Sequence, residues 1–185
     1  AAILKLAAKI ASATGMIGPK GSVAEGGWNG FNVLHTAAAR VGALDLGFIS
    51  APGGRDVAGI LDGASKGDIE IVYLLGADAF DTSKLGKAFV VYQGTHGDAG
   101  AHRADVVLPG AAYTEKSGLY VNTDGRVQLA NRASFPPGDA KEDWAILRAL
   151  SEVVGQKLPY DSIEELRAAI IKDAPHFSTR DVAPA

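Results

Sequence analysis

The chain predicts an α/β fold, a parallel sheet flanked by helices, with a β-hairpin and carboxy-terminal helices added. Three observations carry this. Apolar runs at 69–75, 89–92 and 106–108 are too short for helices and are bounded by glycine or proline. The segments between and before them carry helical spacing or loop composition, so the strands need crossovers and pair in parallel. The run Leu119-Tyr120-Val121, then Asn122-Thr123-Asp124-Gly125, then Val127-Gln128-Leu129, is a hairpin pattern in which Gly125 supplies the positive φ of the turn.

The central stretch is 90–128. Phe89-Val90-Val91-Tyr92 reads as a buried strand ended by Gly94, and Val106-Val107-Leu108 as a second one stopped by Pro109-Gly110. Between them lies a glycine-rich loop, with one helical turn near 101–104. It holds His96, Asp98 and His102, and such a loop lies beyond the carboxyl ends of the strands, where open α/β sheets hold ligands. Asn122 and Asp124 can bond back to the turn backbone.

In chain order, Ile3, Leu6, Ala7 and Ile10 share one face of an expected helix over 1–13. Residues 15–30 form a glycine-rich loop with Trp28 as its anchor. Phe31, Leu34, Ala38, Val41 and Leu44 predict a helix over 32–46, capped by Asn29 or Asn32 and ended by Gly47. His35 sits beside that stripe. Residues 50–56 are a loop, Val57, Ile60, Leu61 and Ala64 mark a short helix ending at Gly67, and a buried strand follows. It ends at Asp78, read either as a ligand-facing residue or, preferably, as the cap of a short helix around 82–85. After a turn at 134–138, Asp139 and Glu142 are expected to start a helix bearing Trp144, Leu147, Leu150 and Val154, stopped by Gly155. Ser162 and Glu165 form a capping box for a helix burying Ile163, Leu166 and Ile170. The tail from Pro175 is expected to be loosely held unless a partner fixes it.

Composition limits the function. With 185 residues, 47% hydrophobic and 21% charged, the chain can bury a substantial core. A net charge of −3 gives no nucleic-acid footprint, and no apolar run could cross a bilayer. The absence of cysteine removes disulfides, cysteine zinc sites and thiolate ligands for iron–sulfur clusters. No GxGxxG, Walker, H-E-x-x-H or G-x-S-x-G motif is present. His96, Asp98 and His102 do not form a recognised ligand spacing, and Glu115, Lys116 and Arg126 are expected to brace the hairpin as an ion-pair network. The expected assignment is therefore no catalytic, no cofactor-binding and no metal residues. Val107 and Leu147 are expected in the core.

The phrases VLHTAAARVGALDLGF, YLLGAD, YQGTHGDAGAHRADVVLPGAAYTEKS, YVNTDGR and EDWAILRALSE occur in order along the chain. Together they resemble the molybdopterin oxidoreductase superfamily, and within it the large iron–sulfur subunit of respiratory complex I, the G subunit of NADH–quinone oxidoreductases. The resemblance implies a Rossmann-like sheet in a carboxy-terminal piece of a longer polypeptide. It divides the chain into an α/β part with the hairpin over 1–133 and a helical segment over 134–185. It implies a structural domain in a subunit that passes electrons from NADH to quinone through 2Fe–2S and 4Fe–4S clusters nearer its amino end. The implied partners are other subunits of the peripheral arm, on the cytoplasmic face of a bacterial inner membrane or the mitochondrial matrix side, with no membrane insertion. In pterin-carrying relatives, the block matching 94–126, with Thr95, Asp105, Asn122 and Arg126, lies by the cofactor's nucleotide cleft. The alternatives are the carboxy-terminal part of an active pterin-dependent oxidoreductase, or a small-molecule binding module.

Overall fold

A computed structural model of the chain describes residues 2–17 and 30–181. The expected anchor Trp28 and the cap Asn29 lie outside them. Strands β1 (Ile71–Leu75), β2 (Phe89–Gly94) and β3 (Val106–Pro109) form a three-stranded parallel sheet in that order, with Ile71 opposite Phe89 and Tyr92 opposite Val107. Strands β4 (Gly118–Val121) and β5 (Val127–Ala130) make the antiparallel hairpin. Asn122 Oδ1 accepts from the Asp124 and Arg126 amides across its turn, as that turn's composition implies.

Alternation decides what the sheet buries. Val72, Leu74, Val90 and Tyr92 point to one face and pack with Ala64, Leu85 and Ala88. The helix behind that face is α3 (Val57–Lys66), capped by Asp56, whose carboxylate accepts from Gly59 N at 2.8 Å, and ended by Gly67 at φ +84°. The other face is largely bare, with Ile71 67%, Phe89 47% and Val106 39% exposed. Val107 lies on the covered side yet is 49% exposed, which corrects its placement in the core. It sits on an edge strand, and the crossover helix α4 (Ala99–Arg103) is too short to roof it. Leu147 is half-buried.

A second core joins Val121 and Val127 of the hairpin to Ala174 and Phe177, with Val41, Ile170 and Ile171 at its edge. Helix α6 (Ile163–Asp173) is capped by Ser162, which accepts from Glu165 N at 3.1 Å, while Glu165 reaches back to the Asp161 amide at 2.6 Å. The tail is not loose through Asp181: 175–178 form a 3₁₀ turn, Phe177 is buried, and Asp181 N donates to Val127 O at 2.7 Å. The hairpin itself is the partner that holds it.

Three further expectations change. The helix over 32–46 shrinks to α2 (Arg40–Asp45), so Asn32 is no cap. Leu34 is 86% exposed, with nothing packed on it among the described residues, and a short helix without tertiary burial does not propagate. Helix α1 (Ala2–Ala13) forms, but its stripe stays in solvent with only Ala11 buried. Helix α5 (Asp143–Val153) starts without a side-chain cap, because Glu142 accepts from Trp144 Nε1 instead.

Candidate functional site

Beyond the carboxyl ends of β1 and β2 lies a cleft of about 450 Å³, bordered by Asp78, Tyr92, Gln93, Thr95, Asp98, Tyr113, Lys116 and Asp143. Its floor is Gln93, fully buried at the end of β2. Tyr73 donates its hydroxyl to Gln93 Oε1 at 2.5 Å, and Gln93 Nε2 donates to Asp143 Oδ1 at 2.8 Å. The second oxygen of Asp143 takes the Lys116 ammonium. One carboxylate thereby ties the sheet, the approach to the hairpin and the first turn of α5. The pairing corrects the expected network: Lys116 bonds Asp143, while Glu115 turns to its own backbone at Ala112 N, 2.9 Å. Arg126 joins neither, and its Nε is buried without a partner among the described residues.

Asp78 does not cap the 3₁₀ turn Thr82–Leu85. Asp81 does, through Ser83 N at 3.1 Å. Asp78 instead accepts from Gly100 N at 3.0 Å, in the first turn of α4. Glycine is needed there, since a Cβ on Gly100 would come within 2.6 Å of the Tyr92 ring and one on Gly94 within 2.4 Å. The ring fills the space between the strand end and α4. Burial, then the Asp143 charge, raises the Tyr73 pKa. Burial, then Asp78 and Asp98, raises that of Tyr92. Both phenols therefore stay neutral donors at ordinary pH.

The histidine loop lies where expected, but its side chains point to solvent. His96 Nδ1 meets Thr95 Oγ1 at 2.6 Å, and His102 is exposed. No cluster of three metal-ligating side chains occurs among the described residues. His35 borders a shallow cavity beside the hairpin. Asp105 is structural: its carboxylate accepts from Val90 N at 2.7 Å and pins the start of β3 to β2.

The family model for molybdopterin oxidoreductase matches residues 1–153. The chain belongs to the molybdopterin oxidoreductase family. It is 52% identical over 158 residues to the mitochondrial NADH-ubiquinone oxidoreductase 78 kDa subunit of Candida albicans, covering 85% of this chain and 20% of that protein. It is 53% identical to the NADH-ubiquinone oxidoreductase 75 kDa subunit of Reclinomonas americana over 81% of this chain and 21% of that one. With the G subunit of the NADH-quinone oxidoreductase of Rickettsia bellii it shares 45% identity over 82% of its length and 21% of that protein's. The chain thus spans about a fifth of these relatives. Acetylene hydratase of Pelobacter acetylenicus shares the fold, with a TM-score of 0.54 at 19% identity over 64% of this chain and 18% of that one.

The family's name implies a molybdopterin, and the strand-end cleft does not fit one. An anionic cofactor would use free amides and unpaired cations at such a place. Here the Gly100 amide is already taken by Asp78, and Lys116 by Asp143. What faces the opening is three carboxylates against one ammonium.

Proposed function

We propose that the chain is the carboxy-terminal, non-cluster-binding structural domain of a complex I peripheral-arm subunit. The whole subunit supports electron transfer from NADH to quinone through 2Fe–2S and 4Fe–4S clusters held nearer its amino end. Residues 1–133 form the α/β part with its hairpin, and 134–185 a helical segment that braces it. No residue here acts catalytically, binds a cofactor or ligates a metal in that electron transfer. The domain sits with other peripheral-arm subunits, on the cytoplasmic face of a bacterial membrane or on the matrix side of a mitochondrial one.

The strand-end cleft carries this reading, since its Gln93 amide, Lys116 ammonium and Gly100 N–H are taken by the chain's own side chains. The named relatives support it, as does the lack of any cysteine. The bare apolar sheet face is the kind of surface that larger assemblies cover. Among the described residues, no helix is long and apolar enough to cross a membrane. Affinity purification of the tagged native protein provides the test. Recovery with the other respiratory subunits and NADH–quinone activity is the expected result. Recovery alone, with a pterin bound, would favour the second reading, an active pterin-dependent oxidoreductase.

A further inference from the structure

A second cavity, sharing the Lys116–Asp143 pair with the strand-end cleft, has the opposite character. It lies between α2, β4, the start of α5, and α6, and its volume of about 350 Å³ falls within the range of small-molecule sites. Much of its wall is apolar, with Leu46, Leu119, Leu166 and Phe177 among the lining residues. Four charged side chains border it. Lys116 and Asp143 pair with each other, and Glu142 accepts from Trp144 Nε1 at 2.9 Å and lies 3.7 Å from Arg132. The fourth, Arg167, has no hydrogen bond or ion pair among the described residues, and its Nη2 is closed off from solvent.

A guanidinium nitrogen left without an acceptor is costly, and the fork of a side chain bordering a cavity matches carboxylate or phosphate geometry. The neighbouring Glu142 and Asp143 carboxylates would repel a dianion more than a monoanion. The apolar walls call for a hydrocarbon body. We propose that this cavity binds a small amphipathic carboxylic acid, its carboxylate on Arg167 and its chain against Leu119, Leu166 and Phe177. The site is independent of the electron-transfer role: it needs only residues of this chain, and it would stand if that role failed.

Trp144 borders the cavity and reports on it. The full chain carrying Trp28→Phe is titrated with octanoate, with octanol as a probe of the same length without charge. Octanoate should saturate the Trp144 fluorescence change at one molecule per chain. Octanol, and octanoate with the Arg167→Gln variant, should bind at least about tenfold more weakly, a loss of about 1.4 kcal/mol. In the chain without Arg167→Gln, the Arg167 side-chain NMR resonance should shift in step with the fluorescence, which makes the result independent of how that variant folds. Equal binding of octanol, a stationary Arg167 resonance, or no saturation below about 10 mM octanoate (weaker than the millimolar affinities of about −4 kcal/mol) would overturn the proposal.

Discussion

Asp143 meets three demands at once: it accepts from Gln93, pairs with Lys116 and opens α5. None of these is legible locally. Gln93 is the lone amide at the end of an apolar run, which hints at a buried polar group, but its partner lies fifty residues away. Local spacing misplaces Asp78 for the same reason. It stands near enough to the 3₁₀ turn to be its cap, and only the folded chain brings Gly100 to it. Short-range polar roles, such as those of Asn122 and Ser162, follow from spacing because turn and helix geometry fixes the partner. The buried phenols give a pH prediction at this scale. The raised pKa values of Tyr73 and Tyr92 mean that the folded chain holds those protons more tightly than the unfolded chain does. Their contribution is therefore complete below the unfolded value of about 10 and is lost as pH rises through the folded values. In an alkaline titration followed by tyrosinate absorbance and circular dichroism, Tyr73 and Tyr92 should ionise above about pH 10, and the dichroism should weaken over the same range. Smooth ionisation of all five around pH 10 with the dichroism unchanged would contradict this.

Among the elements, strands and capped helices are the readable parts. The three parallel strands, the hairpin and α3 stand close to where the pattern puts them, because period and end signals agree there. Helix α2 shows the limit: apolar spacing from Phe31 to Leu44 is helical, yet only the part that packs on Val121 and Val127 holds the conformation. The tail shows the converse. Its polar and proline content conceals Phe177, one aromatic ring that locks the 3₁₀ turn under the hairpin. Phe177→Ala should therefore cost about 3–5 kcal/mol in urea denaturation. Val107→Ala, on a half-exposed edge strand, should cost under about 1 kcal/mol. A reversed order would mean that the second core contributes little and that the sheet edge is covered.

At the scale of the whole molecule, the sheet, the approach to the hairpin and α5 are tied at the strand ends through one carboxylate. Family membership is legible because five phrases stand in order along the chain. What the strand-end cleft does with its groups is not, since that depends on which amides and cations are already occupied. One sheet face and the stripe of α1 stand exposed, although parallel sheets are normally covered on both faces. The most direct test of the central claim is the molybdenum and pterin content of the native protein, purified with whatever chain surrounds this domain and active in NADH–quinone turnover. The account predicts neither above trace. Stoichiometric molybdenum and pterin, with turnover lost when they are removed, would contradict it.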